Sequence, residues 1–80
     1  MYESAIPLST LEEKKTGKIV AINGGYHVKQ RLQVMGIHTG NMIKMKTKQP
    51  FCGPLTIEVC GTQMTIGRGI ARKIQVERIE

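Results

Sequence analysis

Short runs in which apolar and polar side chains alternate recur along this chain, and glycine-bearing turns separate them. A period of two sends one face of a strand into a core and the other into water, so the pattern is that of a small all-β fold. Lys18–Ile22 is the first such run, closed by Asn23-Gly24-Gly25, where glycine supplies a positive φ that other residues avoid. Met42–Lys48 places Ile43, Met45 and Thr47 on one face and Lys44, Lys46 and Lys48 on the other. Leu55, Ile57 and Val59 alternate with Thr56, Glu58 and Cys60 in the next run. Gly61-Thr62 fits a two-residue type II′ turn, with Gln63–Ile66 returning antiparallel. Gly67–Arg72 reads as a single helical turn, and Lys73–Ile79 as a last strand carrying Ile74 and Val76.

Tyr26–Met35 breaks this pattern. Val28, Leu32 and Met35 recur at i, i+4 and i+7, which at about 100° per residue gives one short helix with a narrow apolar stripe centred on Leu32. Val34 lies about 120° from the centre of that stripe and is predicted on the outer face. Gly36 ends the helix, and His38-Thr39-Gly40-Asn41 forms a tight turn. The prolines and glycine of Gln49–Pro54 exclude a helix and oppose strand pairing, so this stretch is a loop with Phe51 in it. The expected fold is mainly β: a small barrel of about five strands with one helix inserted after the first, a single domain over residues 1–80.

A chain of 80 residues builds a thin core, and with 4% aromatic residues that core must come from Ile, Leu, Val and Met. No apolar stretch approaches the roughly 20 residues of a membrane span. Met1–Leu11 lacks the basic start and long apolar run of a signal peptide, so a reducing cytoplasm is expected. The net charge of +6 favours an anionic partner, whether nucleic acid, anionic lipid or an acidic protein face, and equally suits plain solubility.

The acids are few and scattered: Glu3, Glu12 and Glu13 near the start, Glu77 and Glu80 near the end, and Glu58 inside a strand opposite lysines. Such spacing offers no acid/base pair or polarised nucleophile, and no enzyme is expected. Cys52 and Cys60 lack a second Cys pair, and His27 and His38 stand at no ligand spacing, so two reduced thiols and no metal or cofactor are expected. Gly24-Gly25 lacks the Lys-Ser/Thr of a phosphate-binding loop. Lys44, Lys46 and Lys48 form a line able to meet an acidic surface or a phosphate backbone, or simply a solvated face. Tyr2, Tyr26 and Phe51 do not interleave with that line, which argues against a nucleic-acid-binding barrel, the alternative reading.

Pro7-Leu8-Ser9-Thr10-Leu11, and Gly17–Ile22 with Gly24-Gly25, resemble the entry segment and the first strand and turn of the FeoA family. Arg31–Gly40, RLQVMGIHTG, resembles its most specific motif, and Pro50–Val59 its Pro-Phe-Gly-Asp-Pro loop and following strand. Ala71, Ile74 and Val76 match its closing apolar positions, so the resemblance runs over residues 7–76. Lys14 stands where the family has Gly, Cys52-Gly53 where it has Gly-Asp, and Gly67 where it has Arg, while Gly69 and Ile70 replace acidic residues. The resemblance implies an SH3-like barrel and a non-enzymatic accessory that contacts a FeoB-type membrane ferrous-iron transporter with a cytosolic GTP-binding domain. On that reading Val34 and Phe51 are the apolar contact candidates, and Lys44, Lys46 and Lys48 the charged ones.

Overall fold

A computed structural model of the chain describes residues 5–79. Among these residues the chain runs β1 (Ala5–Pro7), a 3-10 turn (Leu8–Thr10), β2 (Thr16–Ile22), α1 (Tyr26–Val34), β3 (Met42–Lys48), β4 (Leu55–Val59), β5 (Thr62–Ile66), α2 (Arg68–Ala71) and β6 (Ile74–Arg78). All pairings are antiparallel, in the order β1-β6-β2-β3-β4-β5, and the sheet curls around one core as an SH3-like barrel. Residues 1–4, with Tyr2 and Glu3 among them, and Glu80 lie outside the described residues.

The strand count differs from the sequence expectation, and so does the place of the helix, which follows the second strand rather than the first. The added strand, β1, spans three residues and pairs through Ala5↔Glu77, Ile6↔Val76 and Pro7↔Gln75. It has no periodic signal of its own, and Pro7 is tolerated because β1 is an edge. The 3-10 turn that follows drops Leu8 and Leu11 into the core, both fully buried.

Alternation places Ile43, Met45, Leu55, Ile57, Val59, Ile74 and Val76 inside as their period requires. Two register shifts modify it. One, between Ile19 and Ala21 where β2 meets β6, lets adjacent Ile19 and Val20 both be buried. The other, between Met45 and Thr47 where β3 meets β4, makes Lys46 the extra residue. Beyond it the faces exchange, so that Thr47 is exposed and Lys48 half-buried. The expected continuous lysine line is therefore broken at its last member.

Helix α1 lays Leu32 into the core, with Val28 and Met35 packed partly against it. Its end closes as a Schellman motif: Ile37 N–H donates to Leu32 O at 2.9 Å and Gly36 N–H to Gln33 O at 3.0 Å. Ile37 and Leu32, joined by that bond, are both buried in the core cluster, which docks the helix end on the sheet. The β4–β5 turn is Cys60-Gly61, not Gly61-Thr62, since Val59 pairs with Thr62. Both residues have positive φ, 53° and 79°, the mark of type I′ rather than II′, in which glycine is needed at the second place.

Candidate functional site

The loop between β3 and β4 continues the hairpin instead of leaving it. Gln49 N–H donates to Pro54 O at 3.1 Å, and Gly53 N–H to Pro50 O at 3.1 Å, leaving Phe51 and Cys52 as the two apex residues. Both sit in the left-handed region, at φ 59° and 61°. Side chains there cost roughly 1–2 kcal/mol each, so the surroundings must impose this turn. Arg68, at the start of α2, does so: its Nε donates to Gly53 O at 3.0 Å and its Nη2 to Gln49 O at 2.8 Å. Gly53 fits because a Cβ there would lie 2.7 Å from the Gln49 Cβ. The result is a braced apex from which the Phe51 ring projects 98% exposed.

Val34, in the last turn of α1, is 84% exposed, as its helical phase requires. Tyr26 is exposed at the other end of the helix, edge-on to His27. Between α1 and the end of β2 lies a groove of about 620 Å³, with Tyr26, Lys29, Gln30 and Gln33 along the helix side and Ala21 and Ile22 along the strand side.

The lysines separate into different roles. Lys44 faces solvent opposite Glu58 in the ladder, and Lys46 Nζ lies 3.5 Å from Glu58 Oε1. Lys48 Nζ donates to Ser9 O at 3.0 Å, and its backbone N–H donates to Glu13 Oε2 at 2.7 Å. Lys48 thus ties β3 to the entry segment, and the freest cation of the expected line is Lys44. Arg68 was not legible as a site residue because its bonds span 15 and 19 positions of chain, a separation that carries no local signal.

Cys52 and Cys60 are exposed free thiols on the turns at opposite ends of β4. Cys60 Sγ accepts a long contact from Asn41 Nδ2 at 3.8 Å. Among the described residues no three His, Cys, Asp or Glu side chains group closely enough to hold a metal ion.

The curled antiparallel sheet, its strand order and the docked helix α1 define a small SH3-like β domain that displays apolar groups on a helix end and a hairpin apex. The chain belongs to the FeoA family, matching the FeoA domain over residues 6–78. It is 38% identical over 74 residues to a relative from Methanocaldococcus jannaschii that bears the name of an Fe(2+) transport protein A, a match covering 92% of this chain and 88% of that one. The crystal structure of an iron uptake regulatory protein, FeoA, superposes with a TM-score of 0.87 at 33% identity, covering 94% of this chain and 99% of the other. The solution structure of a FeoA-like protein from Clostridium acetobutylicum gives 0.87 at 26% identity, covering 96% and 90%.

Proposed function

We propose that this protein is a non-enzymatic accessory of a ferrous iron uptake system, working in the cytoplasm by docking on the cytosolic GTP-binding part of a FeoB-type transporter and modulating it. Family membership and the iron-transport names of its relatives support the iron-uptake role. The observation that carries docking is the Phe51 ring, 98% exposed on a turn held against its own conformational preference by Arg68. A protein interface draws most of its energy from a few apolar or aromatic anchors, and preorganising an anchor lowers the cost of ordering it on binding. Val34 is the second anchor, and Lys44, the freest cation of the lysine line, sets encounter rate.

The test is binding kinetics between the purified chain and the transporter's soluble cytosolic domain. Phe51→Ala is expected to raise the dissociation rate at least about tenfold while leaving the melting curve in place. An unchanged dissociation rate removes Phe51 from the interface. The nucleic-acid reading has less to stand on, since Lys46 is paired with Glu58 and Lys48 is bonded within the fold. Tight, steeply salt-dependent binding to unrelated oligonucleotides would restore it.

A further inference from the structure

We infer that β5 is a self-association edge, on which a second copy of this chain adds its own β5 antiparallel across a two-fold axis at Met64. β5 ends the strand order and pairs with β4 on one side through Leu55↔Ile66, Ile57↔Met64 and Val59↔Thr62. The two-residue turn Cys60-Gly61 makes Val59↔Thr62 a hydrogen-bonded pair, and antiparallel alternation makes Ile57↔Met64 and Leu55↔Ile66 the same. Gln63 and Thr65 therefore aim backbone N–H and C=O away from β4. Both residues are exposed, and no other backbone bond among the described residues uses these groups.

Exposed edges are ordinarily blunted by charge, proline or shortness. The opposite edge, β1, has three residues and Pro7. β5 has none of these devices: residues 59–67 carry no charged side chain, in a chain of net charge +6. A foreign strand needs a matching pattern of its own, whereas a second β5 supplies one by symmetry. With Met64 opposite Met64 of the second copy, Gln63 faces Thr65 of that copy and each exchanges N–H and C=O bonds with the other. The outer face then sets an amide beside a hydroxyl, the inner face a thioether beside a thioether, and no like charges meet across the edge. Because each copy is cationic as a whole, salt strengthens this association by screening, the reverse of its effect on contacts made through lysines.

The experiment is analytical ultracentrifugation of the full chain over a concentration and salt series, with amide hydrogen exchange as the site readout. Dimer is expected to grow with concentration and salt, with protection appearing at the Gln63 and Thr65 amides. Thr65→Pro removes the outward N–H while sparing the β4 ladder, and should weaken the dimer at least about tenfold without moving the melting curve. Thr65→Lys, which sets a charge on the edge, should do the same and serves if the proline disturbs the fold. Monomer at every concentration up to about 1 mM, a dimer that survives Thr65→Lys unchanged, or protection confined to Ala5–Pro7 would each overturn the inference.

Discussion

Lys14, Phe51, Cys52 and Cys60 all hold positive φ without being glycine, and each stores strain that its neighbours offset. Lys14 stands at φ 70°, and its backbone N–H donates to Met45 O at 2.6 Å, which fixes the bend into β2. Lys14→Gly should therefore raise stability by about 0.5–1 kcal/mol, the relief of left-handed strain less the entropy that glycine adds to the unfolded chain. A urea titration measures it, and a decrease would mean the lysine side chain supplies a contact that outweighs its strain. Leu32, 1% exposed at the centre of the α1 stripe, lies at the opposite extreme. Leu32→Ala should cost roughly 2–5 kcal/mol, enough to unfold much of so small a domain. Both residues show what one position reveals in sequence: Leu32 was legible from helical phase, whereas the strain at Lys14 is a backbone angle its identity does not announce.

At the scale of elements, legibility follows how local the cause is. Helix α1, its closure after Gly36, and the inward faces of β3, β4 and β6 depend on neighbours a few residues away, and periodicity finds them. The bulge at Lys46, the pairing of β1 with β6 and the Arg68 brace depend on partners distant in the chain, and periodicity cannot see them. The candidate site inherits this division, since Val34 and Phe51 project as expected while the lysine line does not survive the bulge. The brace predicts a specific defect. Arg68→Ala removes two donors to the hairpin apex, so amide exchange at Cys52 and Gly53 should accelerate and docking through Phe51 should weaken, mainly by slower association of a disordered apex. Arg68→Lys should restore little, because one ammonium does not reproduce the planar fork that reaches both carbonyls. Apex exchange unchanged in Arg68→Ala would show that Gly53 and the hairpin bonds hold the turn without it.

For the molecule as a whole, the question is what holds together an 80-residue chain with almost no aromatic core. One continuous cluster answers it, drawing residues from the entry turn, α1, α2 and every strand except β1, whose Ile6 packs against it from the side. Leu8 and Leu11, both fully buried, bring the entry segment into that cluster, because the 3-10 turn beside them packs on α2 and β6. The two exposed thiols lie on turns at opposite ends of the five-residue β4, and at about 3.3 Å per residue that strand holds them beyond the reach of a disulfide. Stability should thus come from apolar burial, and it should be indifferent to reductant and to chelator. Thermal melting of the chain with and without dithiothreitol, and with and without EDTA, should superpose, whereas a loss above about 2 kcal/mol under either treatment would mean that a disulfide or a bound ion shares the work now assigned to the core. Leu11→Ala under the same conditions should cost roughly 2–5 kcal/mol, since it leaves a cavity where a fully buried side chain now fills the core.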